Sequence, residues 1–191
     1  MSYFIAAKLA NHRLLEELDH LSRYDTLTGL RNRNAFNLAV DTLMQRRGAV
    51  GVVYADVNGL KEINDTRGHQ AGDEALKRAA HLLAKCYGSE NAYRMGGDEF
   101  LVLMPLVKEL DFKASFRRLR ELVGREQDLS IALGSDWVAD TTHLNEAICR
   151  TDQRMYGDKV EYYNRRGKQY ENRHDIRSCR RILDTTLPLE D

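Results

Sequence analysis

Cysteine, proline and net charge are all scarce in this sequence of 191 residues. The three cysteines stand far apart and form no Cys-x-x-Cys pair, so we predict neither a disulfide framework nor a structural zinc site, and we expect a reducing, cytoplasmic compartment. Two prolines are too few for a proline-rich linker that would divide the chain. Basic and acidic residues number 29 each, which argues against a binder of nucleic acids or anionic membranes, because such proteins carry excess positive charge.

Long hydrophobic runs are also absent. No apolar stretch approaches the roughly 20 residues that span a bilayer, and the N-terminal segment carries charges throughout, unlike a signal peptide. The composition, 42% hydrophobic and 30% charged residues, is typical of a globular domain that buries its own core. We therefore expect this segment to make no direct contact with nucleic acid or membrane.

Apolar periodicity predicts a mixture of helices and strands. Apolar residues recur at helical spacing over residues 3–22, 34–47, 70–86 and 107–124, and again from Leu144 to Met155. Short apolar and β-rich runs predict strands at 49–56 and 129–133, and a hairpin with a Gly-Gly turn over 92–104. The order of these elements predicts an α/β (or α+β) sandwich with one central sheet.

Three polar segments are candidates for phosphate and metal chemistry. Asp56 ends a predicted buried strand, and strand ends are where open α/β sheets place ligands. The Gly96-Gly97 turn exposes the carboxylates that follow it and lets a triphosphate approach the backbone. Residues 64–73 are polar, contain glycines and lead into a helix. Each segment taken alone also fits an ordinary turn, loop or helix cap.

Four motifs in order resemble the GGDEF-domain family of diguanylate cyclases, and the resemblance covers roughly residues 21–166. They are DTLTGLRNR at 25–33, DVNGLKEIND at 56–65 with Gly68-His69 and Gly72-Asp73 after it, RMGGDEF at 94–100, and TDQRMYGDK at 151–159. The resemblance implies a ferredoxin-like palm similar to nucleotide cyclase catalytic domains. It also implies a reaction in which two GTP become cyclic di-GMP and two pyrophosphates, by attack of a GTP 3′-hydroxyl on the partner's α-phosphate.

The family's metal and catalytic residues match positions at the strand end and the turn. By resemblance, Asp56, the Val57 carbonyl, Asp98 and Glu99 hold Mg²⁺ or Mn²⁺, with two ions per active site. Oxygen ligands of this kind suit Mg²⁺, and paired cations suit phosphoryl transfer. The resemblance places catalysis at Asp98 and Glu99, with Asp98 as the general base that takes the proton of the 3′-hydroxyl.

The family's substrate residues match positions in the other motifs. Asn64 and Asp73 correspond to the positions that read guanine, which fits their chemistry because a carboxylate accepts hydrogen bonds from guanine N–H groups. Lys61 and Lys159 correspond to positions that face the phosphates. Gly96 and Gly97 complete the predicted substrate site.

The resemblance also implies a domain organisation and a set of partners. Residues 23–168 are expected to form the catalytic domain and residues 169–191 a basic tail. Over residues 1–22, apolar side chains recur at alternating three- and four-residue spacings, which predicts a signalling helix that forms a short coiled-coil stalk; the same side chains also fit packing on the domain's own surface. The expected partners are GTP, a second copy of the chain in a catalytic homodimer, and a sensor domain upstream in a longer protein.

A second interpretation is a catalytically silent GGDEF module that binds GTP or cyclic di-GMP and regulates a partner. The presence of Asp56, Asp98, Glu99, Asn64 and Asp73 favours the active enzyme, because silent members usually lose residues of this set. Departures from the family pattern include Asn58, where many members have aspartate, and Tyr163, where a basic residue often stands. Arg165 or Arg166 is the candidate substitute for that basic residue.

Overall fold

The structure is a computed structural model that describes residues 22–167. The predicted stalk helix, apart from its last residue, and the tail at 169–191 lie outside the described residues. The described residues therefore correspond closely to the predicted catalytic domain at 23–168.

Residues 22–167 contain five strands in one mixed sheet and five α-helices. The strands are β1 (Arg31–Asn32), β2 (Val50–Val57), β3 (Ala92–Gly96), β4 (Glu99–Pro105) and β5 (Ile131–Val138). The helices are α1 (Arg33–Met44), α2 (Leu60–Arg67), α3 (His69–Tyr87), α4 (Glu109–Gly124) and α5 (Leu144–Arg165). The strand order is β1-β3-β4-β2-β5, with β1 parallel to β3 and the other pairs antiparallel.

The sheet has a hydrophobic core on each of its two faces. All eight residues of β2 are buried, and successive side chains of a strand point to opposite faces. Val53 and Ala55 pack with α3 and α4 in one cluster, whereas Val52 and Tyr54 pack with α1 and α5 in the other. The predicted α/β sandwich with one central sheet is therefore confirmed.

Most of the predicted elements are confirmed, and two were not predicted. The helices expected at 34–47, 70–86 and 107–124, the helix from Leu144 and the Gly-Gly hairpin are all present, while β5 runs on to Val138. Strand β1 is two residues long, and α2 replaces part of the polar segment expected at 64–73. Helix α2 has no fully buried residue, so it lacks the apolar stripe that marks a helix in sequence.

The cysteines differ in part from expectation. Cys86 is a free thiol, but Cys149 is disulfide-bonded, which the absence of a Cys-x-x-Cys pair did not suggest. Spacing along the chain says little about which isolated cysteines the fold brings together. Within residues 22–167, no helix is both long and apolar enough to cross a membrane.

Candidate active site

The end of β2 and the start of β4 bring the predicted catalytic carboxylates together. Asp56 lies directly across from Glu99 in the antiparallel register of these strands. The Val57 N–H donates to the carbonyl oxygen of Asp98 over 3.0 Å. The four residues that the sequence assigns to metal binding therefore meet at one end of the sheet, because strand pairing joins segments about forty positions apart.

The Gly96-Gly97 turn requires glycine at both positions. Gly96 has φ 135° and Gly97 has φ 55°, values that L-residues with a Cβ rarely adopt. Both glycines are exposed, and Asp98 after them is half-buried. The turn therefore presents open backbone beside a carboxylate, as the sequence predicts.

The first motif contacts this turn indirectly, through Asp25 and Arg94. The Arg94 guanidinium donates to the Gly97 carbonyl over 2.7 Å and forms an ion pair with Asp25 over 3.1 Å. Asp25 also accepts from the backbone N–H of Thr28 over 2.8 Å. Asp25 of the motif at 25–33 thus has a positioning role at the site. The sequence analysis identified this motif but did not assign it a role in the site.

Asp56 is a buried carboxylate, and Glu99 beside it is half-buried. Burial raises the pKa of Asp56 to about 7, the negative charge of Asp98 adds to this, and the Lys159 ammonium opposes it. Burial likewise raises the pKa of Glu99, while a hydrogen bond from Tyr54 opposes that shift. The Asp56 side chain is 6% exposed, and its Oδ1 accepts from Lys159 Nζ over 2.7 Å. Asp56, Asp98 and Glu99 therefore repel one another in their ionised forms, and Lys159 offsets part of that repulsion at Asp56.

We expect this raised pKa to make the metal-free domain lose stability as pH rises from about 4 to about 7. Asp56 ionises near its ordinary value of 3.8 in the unfolded chain but near 7 in the folded one, so between these values the folded state binds more protons. Urea unfolding in chelator at several pH values measures the effect. Asp56→Asn should flatten the decrease and Asp65→Asn, a change at an exposed residue, should not; equal slopes in both variants contradict the assignment.

Helix α5 faces the same end of β2. Lys159 reaches Asp56, and one turn later the Tyr163 hydroxyl accepts from the Gly59 N–H over 3.2 Å. Arg165 forms an exposed ion pair with Glu161, and Arg166 lies over the Tyr162 ring at 4.5 Å. Tyr163 therefore occupies the position that a basic residue often fills in the family, and neither arginine replaces it there.

The predicted guanine-reading residues lie on the two helices that follow β2. Asn64 is on α2 and Asp73 is on α3, on either side of the break at Gly68. A Cβ on buried Gly72 would lie 2.0 Å from Asn64 Oδ1, so the absence of a side chain there lets Asn64 lie against the helix that carries Asp73. Asn64 Oδ1 is buried and has no hydrogen-bond partner in the structure, whereas the Asp73 and Lys61 side chains are exposed.

The residues at the strand end fit a hard cation by their chemistry. Asp56, Asp98, Glu99 and the Val57 carbonyl offer oxygen ligands, which Mg²⁺ prefers. Among residues 22–167, however, no three His, Cys, Asp or Glu side chains are grouped closely enough to hold a metal ion. The Asp56 carboxylate is instead neutralised by Lys159.

Comparison with known proteins gives the same family that the motifs suggest. A family model described as "Diguanylate cyclase, GGDEF domain" matches residues 22–165. A Streptomyces griseus protein described as "Uncharacterized protein in hutH 5'region" is 41% identical over 106 residues, which are 52% of this chain and 44% of that protein. Diguanylate cyclase DgcS of Shewanella oneidensis is 26% identical over 173 residues, 82% of this chain and 56% of DgcS.

Other relatives carry a different activity in their names. Cyclic di-GMP phosphodiesterase PdeR of Escherichia coli is 36% identical over 110 residues, which are 56% of this chain and 17% of PdeR. The chain thus spans about half or less of the length of these three relatives. The family domain is accordingly shared by proteins whose names give opposite reactions.

A solved structure supports the fold. The coiled coil and GGDEF domain of DgcB from Caulobacter crescentus, crystallised in complex with c-di-GMP, superposes with a TM-score of 0.67 at 20% identity and covers 87% of this chain and 95% of that one. At this identity the likeness concerns the fold alone. Because the family model covers most of the sequence and the RMGGDEF turn stands at the end of the sheet, the chain belongs to the GGDEF domain family.

Proposed function

We propose that this domain is an active diguanylate cyclase that condenses two GTP into cyclic di-GMP and two pyrophosphates. One observation carries the proposal: Asp56 and Glu99 face each other across paired strands, with Asp98 in the open turn beside them. Three carboxylates next to exposed glycine backbone suit a reaction that is catalysed by positioning and charge.

Two Mg²⁺ or Mn²⁺ ions are part of the proposal. Asp56, the Val57 carbonyl, Asp98 and Glu99 are the residues that would hold them. When bound, such ions supply the positive charge that phosphoryl transfer requires at the attacking and leaving oxygens. Burial is the first cause of the raised pKa of Asp56, and the negative charges of Asp98 and Glu99 add to it; a bound cation would relieve the repulsion among these carboxylates.

The protein's own residues then have distinct roles. Asp98 accepts the proton of the attacking 3′-hydroxyl. Its carboxylate is half-buried at the tip of the turn, so it remains accessible to a substrate there. Lys159 and Lys61 neutralise phosphate charge, and Gly96 and Gly97 leave room for the triphosphate to approach the backbone. Asn64 and Asp73 read the guanine.

A second copy of the chain completes the active species. The product contains two equivalent guanylate units, so two sites that face each other across a two-fold axis supply both 3′-hydroxyl attacks. We propose that this homodimer is controlled by a sensor domain in a longer protein. Activity of the purified chain should then rise faster than linearly with protein concentration.

The direct test is to incubate the purified chain with GTP and Mg²⁺ and to separate the products by chromatography. We expect cyclic di-GMP and pyrophosphate in a ratio of one to two. The competing function is a silent module that binds GTP without turnover, and the pairing of Asp56 with Lys159 is the observation that favours it. GTP binding without product in a dimeric sample would establish the silent module.

We expect Asp73→Ser to weaken the preference for guanine. Loss of a charged hydrogen-bonding group from a base-reading site costs about ten-fold or more in affinity, so the KM for GTP should rise by that factor and discrimination against ATP should fall. Steady-state kinetics with both nucleotides measure this. Asp65→Ser is the matched control, because Asp65 is an exposed aspartate on the neighbouring helix; unchanged selectivity in Asp73→Ser would show that Asp73 does not read the base.

A further inference from the structure

A groove at the opposite end of the sheet from the carboxylates has an apolar floor. It lies beside the start of β2 and the end of β4, and its cavity measures about 550 Å³. Helix α1 contributes Leu38 and Leu43 to the floor, and β3, β4 and the loop after β4 contribute Tyr93, Leu103 and Leu106. The groove is therefore separate from the site described above.

The rim of this groove is strongly basic. Arg23, Arg31, Arg46 and Arg47 line it, and Glu90 is the single carboxylate in the lining. Even without Arg23, the three arginines Arg31, Arg46 and Arg47 exceed the single carboxylate by two charges, in contrast to the zero net charge of the whole chain. A ligand with both aliphatic and acidic groups would match the floor and the rim together.

Leu106 is exposed at this groove in a strained backbone conformation. It is 80% exposed, and it is the one non-glycine residue among residues 22–167 with a positive φ, at 56°. This conformation costs an L-residue about 1–2 kcal/mol, and the Leu106 N–H donates to the Ala49 carbonyl over 2.7 Å. Leu38, which also lines the groove, is 54% exposed. Large aliphatic side chains held in the open in this way are typical of a surface that another segment covers.

We propose that the segment at residues 182–191 of the same chain binds in this groove. Its sequence, ILDTTLPLED, contains four large aliphatic residues and three acidic residues and no basic one. The aliphatic side chains suit the apolar floor, and Asp184, Glu190 and Asp191 suit the arginine rim. Pro188 favours the extended backbone that a groove-bound segment needs.

The chain is long enough for this segment to reach the groove. Thr141 lines the groove and lies three residues before the start of α5, so the groove adjoins the N-terminal end of that helix. The 22 residues of α5 span about 33 Å. The intervening residues 166–181 can span about 50 Å when extended, which exceeds the length of the helix that they must retrace.

The N-terminal segment is the competing occupant from the same chain, since residues 1–21 join the groove wall at Arg23. That segment mixes Lys8 and Arg13 with Glu16, Glu17 and Asp19, so it offers little net charge to the basic rim. Charge complementarity therefore favours residues 182–191 over residues 1–21.

Photo-crosslinking in the full-length chain tests the proposal. We replace Leu106 by p-benzoylphenylalanine, irradiate the purified protein and identify the linked peptides by mass spectrometry. Leu110 is the matched control, because it is 74% exposed, lies four positions away and does not line the groove. We expect an intramolecular link from position 106 to residues 182–191, at least five-fold more abundant than from position 110.

A second variant separates specific binding from chance contact. Leu187→Asp with Leu189→Asp should reduce the link from position 106 to the level seen at position 110, while the melting temperature of the domain stays within about 2 °C. Four results would overturn the proposal: a link to residues 1–21, a link to a second copy of the chain, no link above the control, or an undiminished link in the double variant.

Discussion

Replacement of Asp98 by alanine is expected to lower kcat for cyclic di-GMP formation by about 10³-fold or more. Asp98 combines two proposed roles, proton acceptor for the 3′-hydroxyl and ligand for a cation, and removal of either role costs about 10²–10⁴-fold. The side chain is half-buried at a turn, so its loss opens no cavity in the core. Steady-state kinetics at saturating GTP and Mg²⁺ measure the effect.

The control for this prediction is Asp65→Ala, which removes an exposed carboxylate from α2 without touching the turn. It should leave kcat within about two-fold, and both variants should melt close to the parent protein. Turnover by Asp98→Ala at the parent rate would remove Asp98 from the mechanism. Loss of turnover together with loss of the folded state would instead assign Asp98 a structural role.

Gly134→Ala is expected to destabilise the domain by about 3 kcal/mol or more. Gly134 lies in β5 opposite Tyr54, and a Cβ built there would stand 2.0 Å from the Thr151 carbonyl oxygen and 2.5 Å from the Met155 backbone nitrogen. Helix α5 crosses the sheet at this point with backbone against backbone, so the methyl group cannot be accommodated by rotation of a side chain. For a domain of this size the melting temperature should fall by about 6–12 °C.

Gly157→Ala is the matched control on the helix itself. No atom lies within 4 Å of a Cβ at this position, and alanine in a helix interior is about 0.5–1 kcal/mol more favourable than glycine. The control should therefore raise the melting temperature slightly. Equal stability of Gly134→Ala and the parent protein would mean that α5 does not lie this close to β5.

Helix α2 illustrates a feature that was not predicted. Its eight residues include no fully buried side chain, so the apolar periodicity of the sequence could not distinguish it from a loop. Its position in the structure depends on contact with α3. The Asp56–Lys159 ion pair was also not predicted as such. The sequence assigned both residues to one site, but the two lie 103 positions apart, and only the packing of α5 against the end of β2 places Nζ 2.7 Å from the carboxylate.

The motifs alone determined the family, the sandwich of helices on a sheet and the residues of the candidate site, because these depend on local periodicity and on short ordered segments. The tertiary structure decided which of these residues meet. Strand pairing brought Asp56 to Glu99, and the approach of α5 to Gly134 set the position of Lys159 and Tyr163. The basic groove at the other end of the sheet was likewise invisible in a neutral sequence, since its four arginines come from separate segments between residues 23 and 47. Proximity across a fold depends on packing between elements, and no local pattern encodes it.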